Sequence, residues 1–178
     1  MTKLKSFSRI AVASSGLFLL FSLVCLWVEI PFVWSDVLEI LFESILIIYA
    51  LLLMGQSKAH KRPATFIVIA ATLNVLSTVL GVCMRYMSKE NMVMMVAATG
   101  SVYLLYLIFV CLGFFKLSKQ LSKRSLSRGM AIAFPCTYFV QLIANALICH
   151  RLNSGMVLLQ IVLIAVFFYS LPKDIENN

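Results

Sequence analysis

Long apolar runs recur along the chain, and short polar connectors separate them. A helix needs about 20 apolar residues to cross the hydrocarbon core of a bilayer, where every backbone amide must be satisfied internally. The pattern therefore predicts a single polytopic membrane domain over residues 1–178 with six transmembrane helices. The predicted helices are Ile10–Val28, Val37–Gly55, Ala64–Met84, Asn91–Phe115, Gly129–Cys149 and Ser154–Leu171.

The connectors predict how these helices are arranged. The segments Arg85–Glu90 and His150–Asn153 are so short that the helices on either side should be antiparallel neighbours. Pro31 should end the first helix, and Pro63 should open the third, where a missing N–H does no harm. We therefore predict an all-α membrane protein, a six-helix bundle of three antiparallel hairpins.

Basic residues are concentrated in alternate connectors, which predicts an orientation. Lys and Arg are retained on the cytoplasmic side of a membrane, so the richer set should lie inside. Both termini are then cytoplasmic, and we expect the protein in the plasma or inner cell membrane as a multi-pass protein. The inner set is Lys3, Lys5, Arg9, Lys58, Lys61, Arg62, Lys116, Lys119, Lys123, Arg124, Arg128 and Lys173; the outer connectors hold only Arg85, Lys89 and Arg151.

The composition agrees with this class of protein. Apolar residues make up 62% of the chain and charged residues 12%, which is more apolar and less charged than an average soluble domain. The net charge of +8 would suggest nucleic acid in a soluble protein. Here the basic residues lie in connectors between apolar runs, and they form no basic patch interleaved with aromatic residues of the kind that binds single strands, so we expect a lipid bilayer as the partner and no nucleic acid.

Two carboxylates stand inside a predicted helix, and they are the first candidates for function. Glu39 and Glu43 lie four residues apart and share a helix face with Asp36. Ionisable groups in hydrocarbon are costly, so they mark a functional site by default. At 1.5 Å rise per residue, Glu43 should lie about 10 Å below the outer boundary. The alternative is a structural role, in which these acids reach water or pair with Arg85, Lys89 or Arg151.

Uncharged polar residues extend this candidate site. Such side chains often hydrogen-bond between helices, and each bond then contributes about 0.6 kcal/mol. Several of them lie in the outer half with Glu43, which favours a polar cavity facing outward. The candidate substrate-binding residues are Glu43, Glu39, Asn145, Gln141, Asn74 and Gln160.

Pairs of small residues four apart predict close helix packing. Small side chains let helix backbones approach each other, either within this chain or against a partner membrane protein or a second copy. The pattern leaves these alternatives open. The pairs are Ala11 with Ser15, Ala97 with Ser101, and Gly129 with Ala133.

Enzyme and metal chemistry have no support in the sequence. Only His60 and His150 are present, and no Ser/His/Asp set, HExxH, phosphate loop or dinucleotide turn occurs. The five cysteines form no CxxC pair, so we expect no metal site, no cofactor and no enzyme. Cys83 and Cys149 both fall at outer helix ends, where a disulfide would be chemically feasible.

The expected function is the binding or translocation of a small solute or ion through an outward-facing polar cavity, either alone or as a subunit of a larger transporter. The alternative is a non-catalytic accessory or interaction protein of the membrane, such as an assembly factor or an immunity or defence component.

Overall fold

The computed structural model describes residues 2–25, 27, 32–86, 89–146 and 150–176, and within them it is all-helical, with no strand. Each of its six helices is long and apolar enough to span a membrane. The helices are α1 (Thr2–Cys25), α2 (Phe32–Met54), α3 (Lys58–Met84), α4 (Lys89–Ser118), α5 (Leu126–Ala146) and α6 (His150–Glu176).

Several helices extend beyond the apolar runs that predicted them. The helix α1 begins at Thr2 rather than Ile10, and α6 continues to Glu176 rather than ending at Leu171. The hydrophobic pattern marks the part of a helix that lipid could cover, whereas the helix itself continues through polar residues whose side chains reach water. The six helices were predicted correctly in number and order, and their described ends lie up to eight residues from the ends of the predicted apolar spans.

The helices form a closed ring. Each helix packs against its neighbours in the chain, and α6 also packs against α1. Neighbouring helices run antiparallel, because residue numbers rise along one helix as they fall along its partner. The contacts that show this are Lys5–Glu176 and Ser8–Phe168 between α1 and α6, Asp36–Arg85 and Glu43–Asn74 between α2 and α3, and Ser127–Asp174 and Gln141–Gln160 between α5 and α6. Since α2–α3, α4–α5 and α6–α1 also pack together, the ring does not divide into three separate units, and the hairpin arrangement stays a prediction.

One end of the ring, which we call the packed end, is filled by large side chains. It is the end where α1, α3 and α5 begin and where α2, α4 and α6 finish. Tyr49, Phe114, Phe167 and Phe168 are almost completely buried there, and Phe114 and Phe167 meet edge to face with ring centroids 5.4 Å apart. At the opposite end, which we call the cavity end, the helices surround an open space.

A proline helps to close the ring at the packed end. Pro172 lies inside α6 and has no N–H, so the carbonyl of Phe168 four residues earlier loses its helical partner. Ser8 of α1 donates its hydroxyl to that carbonyl, and Tyr49 of α2 donates to it at 3.4 Å. One freed backbone oxygen therefore joins three helices.

Pro63 behaves in the same way, and its predicted position was wrong. Rather than opening α3, Pro63 lies inside it. The helix begins at Lys58, and Ser57 caps it by accepting a hydrogen bond from the Ala59 N–H at 3.2 Å. Pro63 leaves the Ala59 carbonyl without a helical donor, and the Gln120 side chain supplies one at 2.7 Å. A proline is tolerated in a helix when a neighbouring element satisfies the freed carbonyl.

Charge is distributed unequally between the two ends. The helix bounds place all the basic residues of the predicted inner set at the packed end, and Arg85, Lys89 and Arg151 at the cavity end. The outside of the ring carries many exposed apolar side chains, among them Leu17 and Val93. Cys83 is a free, exposed thiol, and Cys149, its candidate partner, lies outside the described residues.

Candidate functional site

A central cavity of about 440 Å³ lies inside the cavity end of the ring. All six helices contribute to its wall. The lining residues are Phe18, Phe21, Ser22 and Cys25 of α1; Glu39, Phe42 and Glu43 of α2; Asn74 of α3; Tyr103 and Tyr106 of α4; Phe134, Tyr138 and Gln141 of α5; and Val157, Leu158, Gln160 and Ile161 of α6.

Helical periodicity explains why these side chains face the same space. The lining residues of α1 occur at positions i, i+3, i+4 and i+7, starting from Phe18, and those of α5 at i, i+4 and i+7, starting from Phe134. Residues at these intervals form one face of a helix. The helices α1 and α5 thus each present one stripe to the cavity and leave their other sides for neighbours or for the exterior.

The carboxylates of α2 meet the amide of α3 in this wall. The Asn74 side-chain nitrogen donates to Glu43 Oε1 at 2.8 Å and to Glu39 Oε1 at 3.3 Å. The same amide therefore bridges both acids, which lie one helical turn apart. Asn74 and Glu43 are buried, with 7% and 5% of their surfaces exposed, and Glu39 is half-buried.

Glu43 keeps one oxygen without a partner. Its Oε2 atom is buried and accepts no hydrogen bond from any described residue. Burying an unsatisfied carboxylate oxygen carries a large desolvation cost, so such an atom in a native fold calls for an explanation. Oε2 itself lies just behind the cavity surface, and a small rotation of the Glu43 side chain would bring it to that surface, where a bound molecule that donates to it would remove that cost.

Of the three bases proposed as partners for Glu43, only Arg85 has a described side chain, and it pairs with Asp36. Arg85 binds Asp36 with both terminal nitrogens, at 2.6 and 3.2 Å. Among the described residues, neither Glu39 nor Glu43 forms an ion pair. The side chains of Lys89 and Arg151, the other proposed partners, lie outside the described part of the chain.

Two glutamines complete the polar part of the wall. Gln160 of α6 donates its side-chain amide to the Gln141 oxygen of α5 at 2.8 Å, so these residues bridge two helices while lining the cavity. Five of the six predicted substrate-binding residues thus surround one space. The sixth, Asn145, belongs to α5, but its side chain lies outside the described residues.

Aromatic rings form most of the remaining wall. Phe18 and Phe42 stack with centroids 5.2 Å apart where α1 meets α2. Across α4 and α5, Tyr103, Tyr106 and Tyr138 follow one another with centroid distances of 5.7 and 5.5 Å. The Tyr106 hydroxyl donates to that of Tyr138, so both phenols have a polar partner in the interior.

The tyrosines were not among the predicted site residues, although the sequence carries a signal for them. Tyr favours membrane interfaces, where its hydroxyl reaches water, and needs a hydrogen-bond partner when it is buried. Tyr106 and Tyr138 fall well inside their predicted helices, and Tyr138 lies three residues before Gln141, on the same face. That combination indicates a polar interior at those positions.

The small-residue pairs have different surroundings. Ala11 and Ser15 are buried inside the ring, and Ser15 donates its hydroxyl to the Ala11 carbonyl at 2.8 Å. Ala97 and Ser101 are exposed on the outside of α4. Gly129 is also exposed, and Ala133 is half-buried. The first pair is therefore the one whose two residues are both buried within this chain.

The chain matches no protein-family model, and comparisons with curated proteins and with solved structures find no match. The fold and the geometry of the cavity are therefore the basis for a functional assignment.

Proposed function

We propose that this protein is a multi-pass membrane protein that binds a small solute in its central cavity and moves it, alone or as a subunit of a larger transporter. In this proposal the cavity end faces outward and both termini are cytoplasmic. The fold is that of three consecutive antiparallel hairpins closed into a ring.

The exterior of the ring supports insertion into a bilayer. Each helix contains a stretch of 19 to 28 residues with the length and hydropathy of a membrane span. Large apolar side chains such as Leu17, Leu20 and Val93 are 70%, 61% and 79% exposed, which lipid would cover. The basic residues at the packed end support its cytoplasmic position, since Lys and Arg are retained on that side.

Glu43 is the observation that carries the proposal for solute binding. A buried carboxylate with an unsatisfied oxygen stands in the wall of a cavity whose volume lies within the range of about 300–1,000 Å³ typical of small-molecule sites. A purely structural carboxylate would be expected to have all its oxygens satisfied by the protein. The cavity is lined mainly by apolar side chains, with a few polar groups that point to the same space, as is typical of ligand-binding sites.

Retention of a solute during purification tests the proposal. The protein would be purified in a mild detergent, and small molecules released on denaturation would be quantified by mass spectrometry. We expect a molecule at a stoichiometry approaching one per chain, and a strongly reduced load in Glu43→Ala.

A control variant on the outside of the ring shows whether the loss of solute is specific to a change in the cavity. Ala97→Leu changes an exposed residue outside the ring and should keep the solute. An equal load in Glu43→Ala and in the unmodified protein, or no bound molecule in either, would contradict the proposal.

A second candidate function rests on the exposed face of α4. Ala97 and Ser101 form a small-residue pair that faces away from the other described helices, an arrangement that favours contact with a partner chain. In that case a second polypeptide should copurify at a fixed ratio and be lost in Ala97→Leu/Ser101→Leu. A protein that always purifies alone would speak against this function.

A further inference from the structure

We infer that the molecule accepted by the cavity is an organic ammonium cation with an apolar or aromatic body. This inference rests on the proposed function and adds the chemical class of the solute. Four features of the wall carry it, namely its charge, the free oxygen of Glu43, the aromatic rings and the size of the cavity.

The wall contains two acidic residues and no basic one among the described lining residues. Glu39 and Glu43 both line the cavity, and none of the described lining residues is Lys, Arg or His. Asp36, the third acid of the same helix, is bound to Arg85 and does not line the cavity. The two remaining carboxylates therefore favour a cation over an anion or a neutral solute.

The unsatisfied oxygen indicates a solute with an N–H donor. Asn74 supplies donors to one oxygen of each acid, and Glu43 Oε2 has no partner among the described residues. Oε2 is buried at the cavity wall, so a small rotation of the Glu43 side chain has to expose it; an ammonium group beside it would then complete the hydrogen bonding of that carboxylate. Charge-assisted hydrogen bonds of this kind are about twice as strong as neutral ones.

The rings complete the site for such a group. Faces of Tyr and Phe attract an ammonium group within about 6 Å of the ring centroid, and they also pack against the hydrocarbon part of an amine. Rings of Phe18, Phe42, Tyr103 and Tyr106 line the same cavity as the two acids. An aromatic wall beside a carboxylate is the usual chemistry of ammonium recognition.

The size of the space favours an organic cation over an inorganic one. A metal ion needs several close ligands, and the described residues contain no group of three or more His, Cys, Asp or Glu side chains that could hold one. A space of about 440 Å³ is much larger than a single ion requires, and its apolar walls would leave most of an ion's coordination unfilled.

Protection of Cys25 provides a direct test. Cys25 is exposed, lines the cavity and is a free thiol, so a single-cysteine variant that retains it reports on occupancy. The control variant retains only Cys83, a free, exposed thiol near the same end of the ring that does not line the cavity. Both would be reconstituted in phosphatidylglycerol nanodiscs and labelled with the neutral reagent N-ethylmaleimide.

Three probes of similar shape isolate the effect of the charge. We expect 2-phenylethylammonium to slow labelling of Cys25 and to leave labelling of Cys83 unchanged. The neutral 2-phenylethanol and the anion phenylacetate should protect at least about tenfold less well at the same concentration, as expected if the ammonium charge contributes 1.4 kcal/mol or more.

Substitutions then locate the interaction. Glu43→Gln should weaken protection by 2-phenylethylammonium about tenfold or more and leave the weak effect of 2-phenylethanol unchanged. Asp36→Asn is the matched control, because it removes a carboxylate of the same helix that does not line the cavity. Tyr103→Leu should weaken protection more than Tyr103→Phe, which keeps the ring.

The outcomes separate this inference from the proposed function. If a neutral or anionic molecule copurifies and is lost in Glu43→Ala, the cavity binds a solute but the ammonium class is wrong. Equal protection by the three probes, protection by none of them, or unchanged protection in Glu43→Gln would likewise overturn the inference. If 2-phenylethylammonium protects but phosphatidylethanolamine nanodiscs alone protect Cys25 equally well, the ammonium group is that of a lipid headgroup rather than of a free amine.

Discussion

Asn74 is the residue on which the polar side of the cavity depends. It is the one described side chain that donates to both Glu39 and Glu43, and it is itself buried. Without it, two acids one helical turn apart would face each other with no shared donor. Like charges at this spacing destabilise a helix, so the amide stabilises the arrangement that the site requires.

A double-mutant cycle would measure this role. We expect Asn74→Ala and Glu43→Gln to be coupled by about 0.6–1.7 kcal/mol in the free energy of unfolding, the range found for hydrogen bonds between membrane helices. Unfolding by denaturing detergent would provide the measurement. The control cycle pairs Asn74→Ala with Ser44→Ala, since Ser44 bonds only the Ile40 carbonyl of its own helix, and it should be additive. Equal coupling in both cycles would contradict the bridging role.

At the residue scale, the charge and position of residues in the sequence indicated most of the polar side chains of the cavity wall, but not which of them are hydrogen-bonded to each other. Glu39 and Glu43 stand out because carboxylates in an apolar run are costly. Their bond to Asn74 depends on the rotation of α3 against α2, which the hydrophobic pattern of α3 does not indicate, because that helix is apolar on most of its faces. The aromatic wall was missed since rings are also ordinary lipid-facing residues in such helices.

At the scale of elements, the contact between α3 and α4 is the closest approach at a described glycine. A Cβ atom on Gly113 would lie 2.7 Å from Ile67 Cγ1, 3.1 Å from the Ile67 nitrogen and 3.3 Å from the Pro63 carbonyl oxygen. Two of these neighbours are backbone atoms and cannot rotate away. The glycine therefore sets the distance between the two helices.

Gly113→Ala should destabilise the protein by about 1–3 kcal/mol, the cost of overpacking a well-packed interior. Gly100→Ala provides a matched control on the same helix, where a Cβ atom meets no other atom within 4 Å. That change should be neutral or stabilising by up to about 1 kcal/mol, because Ala has the higher helix propensity. Melting temperatures in detergent would compare the two, and equal effects would show that helix propensity rather than packing governs Gly113.

The helices themselves were largely predictable, because each needs only a local apolar run of sufficient length. Their ends were less so. The bond from Gln120 to the Ala59 carbonyl, which makes Pro63 acceptable inside α3, joins residues 61 positions apart. The preference of proline for the first position of a helix placed the start of α3 at Pro63, because that preference takes no account of a donor from a distant helix.

At the scale of the whole molecule, the ring is closed by α1 and α6, the two helices farthest apart in sequence. Ser8 bonds the Phe168 carbonyl, and Lys5 pairs with Glu176, so the closure lies at the packed end. Short connectors indicate which consecutive helices are neighbours, but they carry no information about this contact. The central cavity exists because the ring closes, and so its shape was not predictable either.

The orientation of the ring can be tested with reporters at both termini. Because basic residues concentrate at the packed end, we expect a carboxyl-terminal green fluorescent protein to fluoresce and an alkaline phosphatase fusion at the same place to be inactive in a bacterial host. An acceptor site for a membrane-impermeant label inserted between Arg85 and Lys89 should react from outside. An active phosphatase at the carboxyl terminus would reverse the proposed orientation.

The contrast between the two ends of the ring limits what the molecule can do in this conformation. Tyr49, Phe114, Phe167 and Phe168 are buried at the packed end, and the Phe114 ring lies 4.9 Å from that of Phe134 in the cavity wall. Under the proposed function, a solute bound in the cavity would therefore meet these buried rings on its way to the packed end. If the proposed transport takes place, these four rings would have to move, and that movement rather than solute binding would be the step that consumes energy.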